Sequence, residues 1–252
     1  MARQIGERSN LKLYKFIPFK YIKKIVEKSY MPIKRIDGWE DCYENFFLKN
    51  NFVMGINQYD LKKISRKFYG LCFSMLDESD AMWRIYSDIK GLDAKRSETL
   101  DNVAIRICVK PKQLYLMVPI RADVKGGSYI QKVRYISKAD MESELIAANP
   151  YNLTTIADKT QNSFFTKRME FSHEKEVRYI FITNRYHKAN TIDMSLNPLA
   201  FFEEFTVDPR LSRGQFCEIK KELEKRGINS AKINQSSLYR FNPKTLTILP
   251  CE

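Results

Sequence analysis

The chain has 252 residues, 44% of them hydrophobic and 13% aromatic, enough for a substantial core in one large domain or two small ones. Lys and Arg number 43 against 30 Asp and Glu, a net charge of +13 that favours anionic partners: nucleic acid, pyrophosphates of the NAD type or acidic proteins. Five cysteines without metal-ligand spacing argue against a disulfide framework or a zinc finger, and only two histidines disfavour Ser-His-Asp hydrolysis and most histidine acid–base chemistry.

Residues 1–10 are polar, lack the apolar core of a signal peptide and are predicted to be loose. No stretch approaches the roughly 20 apolar residues of a membrane span, so no membrane partner and a cytoplasmic location are expected. Leu11–Phe16 reads as a short strand broken by Pro18. Phe19, Ile22, Ile25 and Val26 then follow helical spacing over Phe19–Ser29. Met31–Ile36 is a second strand candidate, and Trp39–Phe47, acidic and aromatic, reads as an amphipathic turn over a core. Residues 55–68 carry Lys62, Lys63, Arg66 and Lys67, which suit a solvated helix face or a nucleic-acid contact.

Tyr69–Leu76 has the composition of a buried strand. Ser79 suits the cap of a helix running to about Asp88, with Met82, Ile85 and Tyr86 on one face, Trp83 beside them and Gly91 as its stop. Val103–Val109 and Gln113–Pro119 read as strands, Gly126-Gly127 as a turn and Ser128–Ile136 as a further strand. Ser137 caps a predicted helix to Ala148, before Pro150, and Tyr151–Phe165 reads as loop or irregular helix. Asn184–Pro198 is turn-rich, Phe201–Val207 a strand, and Phe216, Ile219 and Leu223 mark a helix starting at Ser212 or Arg213 that Gly227 terminates. Ile228–Ile233 and Thr245–Leu249 are short strand candidates. There is no internal repeat and no linker, so one α+β domain over residues 11–252 fits best.

Phe171–Ile182 changes from polar and acidic to an apolar run, the pattern of a strand entering a core. Residues two apart on a strand share a face, which sets Glu174 beside Glu176 with Arg178 following. Two close carboxylates do not both ionise cheaply, so one of them is expected to titrate high. The plainer reading of the same spacing is an ion-pair ladder at a strand end.

Leu13-Tyr14-Lys15-Phe16, Trp39–Asn45, Cys72-Phe73-Ser74, Asp80–Ser87, Glu174–Arg178, Val207–Arg210 and Ser237-Leu238-Tyr239 occur in an order that resembles a widespread bacterial family of unknown function, over about residues 11–240. Asp80–Ser87 and Glu-x-Glu-x-Arg are the most specific parts. That family's layout is in turn similar to the ADP-ribosyltransferase fold, which implies split mixed or antiparallel sheets with flanking helices, NAD as substrate and no metal. The resemblance also implies a toxin or phage-defence effector, an antitoxin or other regulatory protein, and a nucleic-acid acceptor, RNA first. On this resemblance Glu176 contacts the ribose and Glu174 orients or deprotonates the acceptor. Tyr14 lies on the first strand, where Lys15, standing in place of the usual Arg or His, contacts phosphate. Ser74 positions the ribose or Glu176, Trp83 or Tyr86 lines the nicotinamide pocket, and Arg84 and Arg178 complete the NAD site.

Independently of any family, splitting the nicotinamide–ribose bond builds positive charge on the sugar, which a fixed carboxylate stabilises. Two other readings remain open: a nucleic-acid-binding protein without catalysis, acting through Lys62, Lys63, Lys67, Lys167 and Arg168, and a metal-dependent nuclease using Glu174, Glu176 and Asp80.

Overall fold

A computed structural model of the chain describes residues 4–54, 57–89, 97–147 and 153–246. The N-terminal residues expected to be loose are tied down at Ile5, whose N–H donates to the Ile130 carbonyl at 2.7 Å. Strand β1 (Leu13–Pro18) leads directly into helix α1 (Phe19–Lys28), since Pro18 has no N–H with which to extend a ladder. The helix buries Phe19, Ile22, Ile25 and Val26, the stripe that the spacing predicts. Strand β2 (Tyr30–Arg35) follows, then the hairpin β3 (Asn51–Met54) and β4 (Asn57–Asp60), which the sequence did not reveal, and the short helix α2 (Lys62–Ser65). Next come β5 (Phe68–Ser74) and α3 (Asp80–Tyr86), where Ser79 Oγ accepts from the Met82 N–H as expected of a cap.

Strand β6 (Ala104–Val109) lies where it was predicted, but Gln113–Pro119 is not a strand. Pro111 opens helix α4 (Pro111–Tyr115), the Gln113 side chain accepts from the Lys110 N–H, and only Val118–Pro119 remain extended, as β7. Gly126-Gly127 is not a turn either: it begins strand β8 (Gly126–Lys132), and a Cβ at Gly126 would lie 1.9 Å from the Ile182 carbonyl oxygen. The predicted strand Ser128–Ile136 breaks at Val133 into β8 and β9 (Arg134–Ile136). Helix α5 (Lys138–Ile146) is capped by Ser137, and α6 (Leu153–Phe164) is regular where loop or irregular helix was expected.

Strand β10 (Thr166–Arg168) precedes a 3₁₀ turn over Met169–Glu174, and β11 spans Glu176–Thr183. Strand β12 (Thr191–Ser195) occupies the expected turn-rich stretch, with Ile192 and Met194 buried between polar neighbours. The chain ends with α7 (Pro198–Phe201), β13 (Glu204–Val207), α8 (Arg213–Lys225) and β14 (Ile233–Gln235), and Gly227 takes a φ of +84° after α8. The helix stops expected at Gly91 and at Ala148 and Pro150 lie outside the described residues, as does most of Thr245–Leu249.

The main sheet has ten strands in a mixed arrangement, so the α+β class holds. Its path runs β14-β13-β6-β1-β5-β2-β12-β7, with β11 and β8 stacked outward from β5. Strand β5 pairs with β11 along its whole length, Phe68↔Ile182 through Ser74↔Glu176. Its other partners are two: β2 at Tyr69 and Gly70, and β1 at Ser74 alone. Between those contacts β1 and β2 diverge and the sheet splits.

Alternation then assigns the two faces. Tyr69, Leu71, Phe73, Val177, Tyr179 and Phe181 enter the main core with α1 and α8. Phe68, Gly70, Cys72 and Ser74 face the other way with Ile182, Ile180, Arg178 and Glu176, where Phe47, Leu48, Leu61, Phe164 and Phe165 form a smaller core.

Candidate active site

Glu176 and Arg178 lie on that second face at the end of β11 nearest the split. Arg178 is fully buried. Its Nε donates to Glu176 Oε1 at 2.9 Å, and its Nη2 donates to Glu176 Oε2 at 3.1 Å and to Glu44 Oε1 at 2.5 Å. Its Nη1 donates to the Phe164 carbonyl at 2.7 Å, and the Trp39 ring covers the guanidinium at 4.5 Å. Gly70 makes room for that ring, since a Cβ there would stand 2.8 Å from Trp39 Cζ2 and 3.0 Å from Ile180 Cδ1. The Glu176 N–H donates to the Tyr135 hydroxyl at 2.7 Å, which fixes the backbone beneath the carboxylate.

Lys167, on β10, joins three carboxylates: Glu174 at 2.7 Å, Glu176 at 3.3 Å and Glu44 at 3.5 Å. Burial works to raise the Glu176 carboxyl, but Arg178 and then Lys167 outweigh it and hold the group at about 2. Glu44 moves the other way, raised chiefly by its own burial. The Cys72 thiol, hydrogen-bonded to Glu176, is pushed well up by burial and by that carboxylate, which leaves it a protonated, inert neighbour. Lys15 is lowered by burial, and its Nζ donates to the Cys72 carbonyl at 3.0 Å.

Two expectations fail here. Glu174 and Glu176 are not successive positions on one strand, because Glu174 ends the 3₁₀ turn and Lys175 adopts a left-handed φ of +46°. Nor does repulsion drive Glu176 upward, because Arg178, on the face that alternation gives it, and Lys167, whose approach sequence spacing does not reveal, both sit against it.

A cleft of about 630 Å³ opens above this cluster, over the split between β1 and β2. The predicted residues Tyr14, Lys15, Ser74, Tyr86, Glu174, Glu176, Lys167 and Arg168 all line it. Ser74 Oγ donates to the Glu174 carbonyl at 2.6 Å, so it holds the turn that carries Glu174. Trp83 stands outside the cleft, fully buried in the core, with its Nε1 donating to Glu78 Oε2 at 3.0 Å. Arg84 is exposed and paired with Asp80 at 2.8 Å, away from the cleft. Arg178 lies beneath the cleft and every nitrogen of its guanidinium is engaged, so it positions Glu176 and is closed to a ligand. Lys167, expected on a nucleic-acid surface, is instead buried among the carboxylates. Arg168 reaches the rim, bound to Asp41 at 3.1 Å. Lys62, Lys63 and Lys67 lie at the far end of β5 and outside the cleft.

The segment Trp39–Asn45, read from sequence as a turn over a core, supplies Trp39, Asp41 and Glu44 to the cleft. Glu44 meets Arg178 across 134 residues of chain, a contact for which a single sequence carries no signal. Among the described residues no group of three or more His, Cys, Asp or Glu side chains is placed to hold a metal. Asp80 bonds Arg84 and Tyr239 and does not meet the glutamates. Among the described residues no helix is long and apolar enough to cross a membrane.

No family model and no curated protein matches the chain, so the bacterial-family resemblance drawn from its motifs is not sustained. Solved structures of DarT from Thermus sp. 2.9 are similar at a low level. The complex with NAD+ is 10% identical, with 92% of this chain and 98% of that chain covered and a TM-score of 0.40. The complex with ADP-ribosylated ssDNA is 11% identical, with 96% and 100% covered and a TM-score of 0.39.

Proposed function

We propose that the chain is an NAD-dependent ADP-ribosyltransferase acting on a nucleic acid, with RNA the first acceptor to test. The observation that carries this reading is Glu176. It is an ionised carboxylate, locked by Arg178 and Lys167, at the floor of a cleft that also holds aromatic rings and unpaired cations. A locked anion next to a sugar stabilises the oxocarbenium-like charge that forms as the ribose C1′–nicotinamide bond breaks and the electron pair leaves with nicotinamide. The acceptor oxygen or nitrogen then bonds to C1′, and its proton passes to Glu174, the more exposed of the two carboxylates. Tyr14, Tyr86 or Phe171 offers a face for the nicotinamide ring, and Lys15 with Lys34 offers charge for the pyrophosphate. The charge of +13 supports a nucleic-acid acceptor. A toxin or defence effector with this activity needs restraint, so a regulatory partner or antitoxin belongs to the same reading.

The test supplies labelled NAD with RNA, DNA and mixed proteins. The parent protein transfers label to nucleic acid, and Glu176→Gln loses about 100-fold or more in rate while its circular dichroism is retained. A Glu176→Gln protein that turns over NAD at the parent rate would sink the assignment. One observation favours a second reading, a nucleic-acid-binding protein without catalysis. Both Glu176 oxygens already have partners, as they would in a purely structural cluster. Salt-sensitive binding with no consumption of NAD would select that reading.

A further inference from the structure

The far end of the β5–β11 pair carries a second charged region. Thr183 closes β11 there: its N–H donates to the Lys67 carbonyl at 2.9 Å, and its Oγ donates to the Arg185 carbonyl at 2.7 Å. This pins the start of the 184–190 loop, with Arg185, Tyr186 and Lys188, at Lys67, just after Arg66 and α2, which carries Lys63. Lys67 Nζ lies 4.9 Å from the centre of the Tyr186 ring, which is 57% exposed. The same loop returns along β2: the Arg35 N–H donates to the Asn190 carbonyl at 2.9 Å, and the Tyr69 hydroxyl donates to the Ala189 carbonyl at 2.8 Å. The next residue back along β2 is Lys34, which is exposed and lines the cleft. No ion pair neutralises Lys34, Lys63, Arg66, Lys67, Arg185 or Lys188 among the described residues. Arg35, also on this path, is paired with Asp37.

We infer that these residues form a basic track on which the backbone of a single-stranded nucleic acid lies, leading from α2 and the 184–190 loop past Lys34 into the cleft. Its direction into the cleft rests on the transferase reading above, whereas the binding does not. Unpaired cations along a continuous path suit regularly spaced phosphates, and an exposed ring already held by a lysine suits base stacking. Acidic protein would use the charge but has less use for the ring. The track is long enough for such a ligand. Glu176 to Thr183 spans roughly 23 Å at about 3.3 Å per residue, and single-strand sites on one small domain take roughly 4–16 nucleotides.

The test measures fluorescence anisotropy of labelled oligo-dT and oligo-U of roughly 20 nucleotides, with the full chain and no NAD, across a salt series. Arg66→Glu/Arg185→Glu/Lys188→Glu is expected to bind about 10-fold or more weakly, with a salt slope lower by about 2, since each single-strand phosphate contact contributes about 0.7. The milder Arg66→Gln/Arg185→Gln/Lys188→Gln shows a smaller loss in the same direction, and the thermal transitions of both match the parent. Parent-like affinity in the charge-reversed protein would overturn the track. So would displacement of the oligonucleotide by polyglutamate as readily as by unlabelled oligonucleotide, which would assign the surface to acidic protein. A parent protein that binds through the track yet consumes no NAD would sink the transferase reading and leave this one standing.

Discussion

Two buried arginines anchor charged networks on the same sheet, and they are set at different depths. Arg178 on β11 is fully buried, and its carboxylate partners Glu176 and Glu44 are only 4% and 8% exposed. Arg106 on β6 is also covered, by Tyr14 at 4.9 Å, but its partners Glu204 and Glu78 are 31% and 30% exposed. Arg106 bonds Glu204 and Thr206 at 2.7 Å each, while Ser236 and Trp83 donate to Glu78. In one network the carboxylates are sealed in; in the other they keep water. A carboxylate that keeps water tolerates the loss of its arginine, whereas a sealed one does not. The sealed network holds its charge in one place, which is what a transition-state stabiliser needs.

The sharpest way to break this contrast is to remove each arginine in turn. Arg178→Leu leaves Glu176 and Glu44 buried without their main partner and is expected to cost about 3–5 kcal/mol in urea unfolding. Arg106→Leu is expected to cost about 1–3 kcal/mol, because Glu204 and Glu78 can hydrate. Equal losses would erase the distinction of depth.

Acid titration sharpens it further. Glu176 falls from an ordinary carboxyl value of 4.5 to about 2 on folding, so its contribution is complete above pH 4.5 and is lost as pH falls towards 2. The sign is opposite for Glu44, whose raised carboxyl opposes folding at neutral pH and is relieved on acidification. Stability followed by denaturant between pH 6 and 2 is therefore expected to decline more steeply in the parent than in Glu176→Gln compared at matched starting stability, because the variant no longer has this acid-labile contribution. Glu44→Gln is expected to lose little at pH 7, less than about 1 kcal/mol, since its amide oxygen still accepts from Arg178.

Gly70→Ala tests the lid on the sealed side. The added methyl displaces Trp39 from above Arg178 and is expected to cost about 1–2 kcal/mol, with a change in tryptophan fluorescence. The smallest effect belongs to Asp80→Asn, which breaks an exposed pair with Arg84. Its melting temperature is expected to match the parent's.

Much of the framework is legible in local pattern. The stripe on α1, the Ser79 and Ser137 caps, the start of α8 and Gly227 all act within a few residues, and all stand where spacing puts them. The shared face of Glu176 and Arg178 follows from strand alternation. The strand over Gln113–Pro119 fails because the capping chemistry of Pro111 and Gln113 outweighs apolar content. Strand β12 escapes notice because only Ile192 and Met194 mark it inside a polar stretch. The site itself is half legible. Lys167 reads as surface charge because lysine usually is, and Glu44 becomes a site residue only through the fold that brings it to Arg178.

The split in the sheet also bears on motion. Strand β5 is laced to β11 at every residue, from Phe68↔Ile182 to Ser74↔Glu176, but is joined to β1 and β2 at only three positions in all, Ser74, Gly70 and Tyr69. A seam so thinly stitched widens without unravelling a ladder, so the mouth of the cleft is a compliant line across the sheet. Deuterium should enter the amides of β5 that face the seam well before those that face β11, and a ligand wedged into the seam should slow it.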